Sequence, residues 1–442
     1  MDRSNSNDRA PGLPGAHHNG ETGPRVQEAA PRYLLYSHDS FGLGHLRRNL
    51  TLAKALVTSR PGASVLIVTG SPCATFFECP QGVELVKLPS VSKDEQGRYC
   101  SRSLPGPIDF TLELRRRILL ETYRAYQPHV LIVDHQVVGL MAEALPLLRA
   151  AKEDGVRTIL GVRDVIDSPA VVAKEWGTED ARWALSIGYD RICVYGSPEV
   201  FDTRSEYRIP PELGANLEFV GYVVRKFPRH SRRPVPSLRP RVLVTVGGGE
   251  DGGNGLERVI DALALRAGDH DTVIVSGPLL APREARRLKR RVRNLQGVEI
   301  HRFHNDLPRL MAESDLVVCM AGYNTCAELL YSGRRAVFLP RTFPRREQVI
   351  RAERLAALGL GTCLEDPKAE VLSAAITKEL AHNRREGGLR TWVAPMTGAA
   401  NLTAIAEELV DGVAAQAKTP TQRVNELDRK AQRLAAFLGA IE

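Results

Sequence analysis

No stretch of eighteen apolar residues occurs in the 442-residue chain, so nothing in it has the length and hydropathy of a membrane-spanning helix. No two of the seven cysteines form a C-x-x-C pair, and Cys73 and Cys79 stand away from partner ligands, which excludes a cysteine-built metal site. Cys193, Cys319 and Cys326 lie in apolar contexts and read as core filling in a reducing compartment, so a cytoplasmic location is expected. The first thirty residues carry Pro, Gly, Asn and charge without an apolar core, so residues 1–31 read as a disordered tail and not as a signal peptide. The net charge of +8 is gathered in two clusters, at 225–241 and 283–293. Neither is interleaved with aromatics, which excludes a single-strand stacking platform; a solvated linker and a solvated helix face are expected, with no nucleic-acid partner.

What is present is ordinary globular composition, 43% hydrophobic and 25% charged, in a chain long enough for two or three cores. Strand signals occur at 33–37, 64–69, 83–88, 130–134, 158–162 and 191–195. Helical spacing lies between most of them, at 43–58, 112–126, 139–152 and 170–187. The helix at 112–126, with Arg115, Arg116 and Arg117 beside leucines, reads as an amphipathic core helix; peripheral membrane contact is weighed but not expected. A Pro- and Arg-rich break at 225–240 separates this half from a second alternation. That alternation runs through strands at 242–246, 272–276, 298–303, 316–320 and 335–339 and helices at 256–267, 283–292, 345–358 and 368–381. The expectation is a first Rossmann-like domain over 32–224, a linker over 225–240 and a second Rossmann-like domain over 241–412. An amphipathic packing helix over 413–442 (Val424, Leu427, Ala431, Leu434, Phe437) completes it. Strand–helix alternation in each half predicts two doubly wound parallel α/β sheets, with a site at the carboxyl ends of both.

Polar residues collect at those ends. The corner Gly322-Tyr323-Asn324-Thr325 follows an apolar strand and opens a helix, a natural seat for a diphosphate, since helix N-termini carry unpaired N–H groups and partial positive charge. Glu328, one turn further in, can accept hydrogen bonds from a ribose diol. Gly42-Leu43-Gly44-His45 ends the first strand of the chain and starts its first helix, where His45 is placed to accept a proton. Gly247, Gly249 and Gly252 satisfy G-x-G-x-x-G after a strand. The acid expected after the next strand is replaced by Ser276-Gly277-Pro278, so the loop reads as phosphate-approaching and not as a dehydrogenase fingerprint. Glu347 and Gln348 stand where they could read sugar hydroxyls. Asp134-His135 and Arg163-Asp164 end strands on the amino-terminal side; Asp134 could support a base or hold an acceptor hydroxyl, and salt bridging within the domain is the competing reading.

Together, the corner at 322–328, Pro340 and Glu347-Gln348 resemble the donor-site signature of GT-B glycosyltransferases, in the MurG-like branch that includes galactolipid synthases. The loops at 41–45 and 246–253 resemble that branch's two glycine-rich loops, and the resemblance spans roughly 33–410. It implies a GT-B fold, two Rossmann-like domains facing a cleft. It also implies an inverting, metal-independent transfer of sugar from a nucleotide diphosphate donor, most simply UDP-linked, to an acceptor hydroxyl, with no cofactor. By position, Glu328 would hold the ribose. Gly322, Tyr323, Asn324, Thr325, Gly248 and Gly249 would hold the diphosphate, with Gly44 opposite. Phe303 and His304 would meet the base, and Glu347 and Gln348 the sugar. His45 with Asp134 would be catalytic, and His135, Arg163 and Asp164 would face the acceptor, a lipid, natural product or saccharide. Glu347-Gln348 replaces the branch's Gln pair, and Arg163-Asp164 replaces its Glu-Gln-Asn cluster, which argues against lipid I as acceptor. The segment 42–53 also resembles UDP-sugar hydrolases of pseudaminic acid biosynthesis. Hydrolysis, or nucleotide-sugar binding without turnover, therefore stays open beside transfer.

Overall fold

A computed structural model describes residues 30–39, 44–94, 96, 98–214, 216–228, 239–249, 252–266, 268–386 and 394–415. The expected tail, most of the linker, the helix beyond 415 and residues 40–43 of the first glycine loop lie outside these.

The strands, in chain order, are β1 (Arg32–Ser37), β2 (Ser64–Thr69), β3 (Val83–Lys87), β4 (Val91–Lys93), β5 (Tyr99–Ser101), β6 (Val130–Asp134), β7 (Arg157–Arg163), β8 (Arg191–Tyr195) and β9 (Leu217–Phe219). The second half adds β10 (Arg241–Thr245), β11 (Asp271–Val275), β12 (Val298–His301), β13 (Leu316–Cys319), β14 (Ala336–Phe338) and β15 (Gly361–Cys363). They form a seven-stranded sheet ordered β3-β2-β1-β6-β7-β8-β9 and a six-stranded sheet ordered β12-β11-β10-β13-β14-β15, every pairing in both being parallel. Parallel strands are covered on both faces, and the sequence obeys this: every residue of β6 and of β13 is buried. In each sheet the order reverses beside the first strand, between β1 and β6 and between β10 and β13. Crevices at the carboxyl ends of the strands open at such reversals, and there a doubly wound sheet binds its ligand.

The structure departs from the sequence reading where backbone geometry, not periodicity, decides. The helix expected at 139–152 is broken, because Met141 and Ala142 take left-handed conformations; only Leu145–Glu153 is regular. The helix expected at 170–187 is three pieces, Pro169–Trp176, Glu179–Trp183 and a π turn at Ala184–Gly188. The antiparallel hairpin β4–β5 was not anticipated. Arg115, expected on an amphipathic face, is fully buried on helix Ile108–Tyr126 and pairs with Glu143 at 2.6 Å.

The last described helix, Gly398–Ala415, falls in sequence with the second half, yet it packs on the first sheet, against helix Gly44–Ser59 and strands β6 and β7. Asn401 Nδ2 donates to Val220 O at 2.9 Å, and Tyr222 N donates to Pro395 O at 2.8 Å. One apolar cluster consequently runs through both halves, from Tyr33 and Leu56 to Leu329 and Phe338, with Leu402 and Ala406 of this helix. No helix among the described residues is long and apolar enough to cross a membrane.

Candidate active site

Both reversal points open into one cleft of about 390 Å³. Two helices aim their amino termini into it, Gly44–Ser59 from the first sheet and Tyr323–Ser332 from the second. The second helix starts at Gly322 without a side-chain cap, leaving first-turn N–H groups for an anion. The termini are clamped together, because Asn324 Nδ2 donates to Gly44 O at 2.9 Å. Gly247, Gly248 and Gly249 form the adjoining wall. Gly249 must lack a side chain: its φ is +88°, and a Cβ would stand 2.2 Å from Ser276 O. Its N–H is taken by Val246 O at 3.3 Å, so its part in the loop is to fix the shape.

On the opposite wall His45 Nδ1 lies 2.6 Å from Asp134 Oδ2. Arg48, one turn on, donates Nε to Asp134 Oδ1 at 2.9 Å and Nη2 to Oδ2 at 2.6 Å. Burial alone would push the Asp134 carboxyl up, but the Arg48 charge and the bonds from His45 and Arg48 overcome it and hold the group well below the usual carboxylate range. An ionised Asp134 only accepts, so Nδ1 of His45 carries the hydrogen between them, and the ring so held lines the cleft. Arg48 was not singled out in the sequence. The signal was its i,i+3 spacing from His45 on one helix face.

Two more imidazoles surround this pair, with ring centroids 4.9 Å (His38) and 5.5 Å (His135) from His45. Both are buried, and Nδ1 of each lacks a partner among the described residues. Burial, followed by the His45 charge for His38 and the Arg163 charge for His135, pushes both well below the ordinary histidine value. The sign of the pH effect follows. Below about pH 6.5 the unfolded imidazoles bind protons that the folded ones refuse, so stability is full above that pH and falls as pH is lowered. Urea unfolding between pH 7 and pH 5 should show a loss of up to about 1.4 kcal/mol per pH unit for each histidine. His38→Gln should remove its share of the slope; an unchanged slope would contradict the assignment.

Residues 242–391 match the sequence profile of the glycosyltransferase family 28 C-terminal domain. A UDP-N-acetylglucosamine--N-acetylmuramyl-(pentapeptide) pyrophosphoryl-undecaprenol N-acetylglucosamine transferase of Halorhodospira halophila is 34% identical over 187 residues, covering 40% of this chain and 51% of that one. The protein of the same name in Acidothermus cellulolyticus is 25% identical over 339 residues, covering 76% and 85%. The chain spans about half the length, 51% and 56%, of the first curated relatives it matches. The crystal structure of Acinetobacter baumannii MurG aligns over 87% of this chain and all 100% of its own, with a TM-score of 0.56 at 15% identity.

The chain has the GT-B fold and is similar to the MurG transferases.

Within the GT-B cleft, Gly44, His45, His135, Arg163, Gly248, Gly249, Phe303, His304, Gly322, Tyr323, Asn324, Thr325, Glu347 and Gln348 all line one cavity, as the positions of their strand ends imply. Glu347 donates nothing and is nearly buried; Oε1 accepts from Arg341 Nη2 at 2.8 Å, while Oε2 has no partner among the described residues. Gln348 Oε1 accepts from Arg341 N at 3.0 Å, so both residues are held by one arginine on the preceding loop.

One expectation needs correction. Asp164 does not face the cleft: it is fully buried, gripped by Arg351 from the other half at 2.7 Å and by Tyr222 OH at 3.1 Å. Asp134 has both oxygens engaged and is buried, so it orients His45 and does not hold an acceptor hydroxyl. The Tyr323 ring is a packing element between the halves; it stacks on Tyr222 with centroids 5.9 Å apart, and its hydroxyl accepts from Val223 N at 3.0 Å. Glu328 lies outside the lining, 8% exposed, with no hydrogen bond among the described residues. Desolvation pushes its carboxyl up, and the charges of Arg47 and Arg225 pull it partly back. The sequence reading also missed Arg47, Lys93, Tyr99, Arg341 and Phe343, all on the lining.

Proposed function

We propose that this chain is an inverting glycosyltransferase that moves a sugar from a UDP-linked donor to an acceptor hydroxyl. The observation that carries the reading is the meeting, in one cleft, of an uncapped helix N-terminus and a histidine whose ring is fixed by an ionised aspartate. The helix end, the Gly248 N–H and Arg47 suit a diphosphate leaving group. Their fixed partial and full charges favour the oxygens that gain charge as the glycosidic bond breaks, without a metal at the sugar. His45 Nε2 suits the other half of the reaction, taking the acceptor hydroxyl's proton as that oxygen attacks the anomeric carbon from the face opposite the diphosphate. The names of the curated relatives supply the uridine nucleotide and the hexosaminyl donor class, and this chain's Glu347-Gln348 pair leaves the sugar to be found.

The Glu328 carboxylate, buried and without a hydrogen bond among the described residues, is assigned to the ribose diol. Calorimetry with UDP should give a one-to-one complex, and Glu328→Ala should weaken it by about 10- to 100-fold, the worth of hydrogen bonds to a charged group. Turnover of UDP-sugars against an acceptor panel, with EDTA present and the product anomer read by NMR, tests the rest. Release of free sugar regardless of acceptor would assign hydrolysis instead. Absence of UDP binding would remove the basis of the reading.

A further inference from the structure

The end of β7 and the start of helix Glu347–Ala357 meet where the two halves of the chain touch. Asp164 Oδ1 accepts from Arg351 Nη2 at 2.7 Å, one turn into that helix. Asp167 Oδ1 accepts from the backbone N–H of Arg346 at 3.0 Å, satisfying one of the open N–H groups at the helix start from the opposite half. Oδ2 of the same residue accepts from Arg345 Nη1 at 3.1 Å. These bonds pin the helix start to the segment that follows β7. Arg163 and Glu347 stand immediately beside the pinned residues, one on each half, and both line the cleft.

Each of the two has one polar atom engaged and another left over. Arg163 Nη2 donates to Nε2 of the neutral His135 at 2.6 Å, and its Nε is buried without a hydrogen-bond partner among the described residues. Glu347 Oε1 accepts from Arg341 Nη2 at 2.8 Å, and its Oε2 is likewise buried and unpartnered. Among the described residues Arg163 has no carboxylate within ion-pair range. Burial pushes its guanidinium down to about 10, and the Glu347 carboxylate, the strongest charge acting on it, pulls it partly back up. A buried polar atom without a partner costs stability, so a donor and an acceptor of this kind in one cavity suit a group that satisfies both.

A guanidinium only donates and a carboxylate only accepts. An anion would suit Arg163 and be repelled by Glu347, and a cation would meet the reverse. A hydroxyl answers both from a single atom. Its place in the cleft follows from Arg351, whose guanidinium grips Asp164, donates to Ala321 O at 3.0 Å and lies 3.5 Å from Glu347 O. The neighbour of Arg163, the residue before the Gly322 corner and Glu347 itself are therefore gathered around one side chain. A sugar attached to a diphosphate at that corner would sit within this group of residues.

We propose that Arg163, from the first half, and Glu347, from the second, bind one hydroxyl of the donor sugar between them, Nε donating to it and Oε2 accepting from it; the proposal rests on the transferase reading above. It moves Arg163 from the acceptor to the donor, and it makes recognition of the sugar a check that neither half can perform alone.

The test is calorimetry on the full chain with UDP, UDP-glucose and UDP-N-acetylglucosamine. For the sugar that wild type binds more tightly, the ratio of UDP-sugar to UDP affinity should fall about tenfold or more in Arg163→Met and in Glu347→Gln. That is the worth of a hydrogen bond to a charged group, and UDP affinity itself should stay within about twofold. Arg163→Lys keeps a cation and should retain part of the ratio. The double variant Arg163→Met/Glu347→Gln should lose less than the product of the single losses, because either change alone already breaks the shared contact. Derivatives of the same UDP-sugar with single hydroxyls replaced by fluorine, which cannot donate to Glu347, give a second measurement on unaltered protein. One position should cost wild type about tenfold and the double variant no more than about twofold. An unchanged ratio in Arg163→Met, losses that multiply in the double variant, or no fluorinated position that weakens wild-type binding overturns the proposal. If UDP itself fails to bind wild type, the transferase reading falls and takes the proposal with it; if UDP binds and the ratios do not move, the proposal alone falls.

Discussion

His45→Ala should lower turnover by about 10²- to 10⁴-fold, the range for loss of a positioned general base, while UDP affinity changes by no more than about twofold. The split follows from placement. His45 stands on the first helix, anchored through Nδ1 to Asp134, and, Arg47 aside, the groups proposed for the ribose and diphosphate belong to the second half. Asp134→Asn should act through the same ring. It removes the anion that fixes the tautomer and leaves Arg48 buried without its partner, so turnover and stability should fall together. Turnover in His45→Ala within about threefold of wild type would place the base elsewhere.

The second large effect concerns the joint between halves. Asp164→Ala should cost about 3–5 kcal/mol in urea unfolding, because Arg351 would be left as a buried cation facing no charge. Arg351 does more than pair. Its Nη1 donates at 3.0 Å to the carbonyl of Ala321, a residue held in the left-handed conformation just before the helix proposed to seat the diphosphate. Arg351→Met should therefore weaken UDP binding as well as stability, whereas Asp164→Ala should affect mainly stability. The double variant Asp164→Ala/Arg351→Met leaves no unpaired charge, so it should recover part of the single-variant loss. Additive losses would mean the pair contributes no coupling, against the geometry.

The sheets were legible because parallel strands, buried on both faces, leave continuous apolar runs: the signals at 64–69, 130–134 and 191–195 coincide with β2, β6 and β8. The hairpin β4–β5 was not, since three-residue strands carrying Ser, Lys and Tyr at half-buried positions show no period. Spacing placed His45, Asp134, His135 and Arg163 at strand ends, hence near one another. It could not tell which carboxylates had cations waiting in the other half. Arg351 lies 187 residues from Asp164, and nothing local marks either as a buried pair, so Asp164 read as a cleft residue beside Arg163. The left-handed Met141 and Ala142 were equally silent, because neither Gly nor Asn marks the break.

Because helix Gly398–Ala415 buries Leu402 and Ala406 against the opposite sheet, the first half is discontinuous in the sequence. A fragment ending near residue 240 would expose the apolar floor beneath that helix, and a fragment starting there would carry the helix with nothing to cover. Chimeras that graft another second half onto this first half therefore need two junctions, one near 240 and one near 395, with helix Gly398–Ala415 kept as part of the recipient.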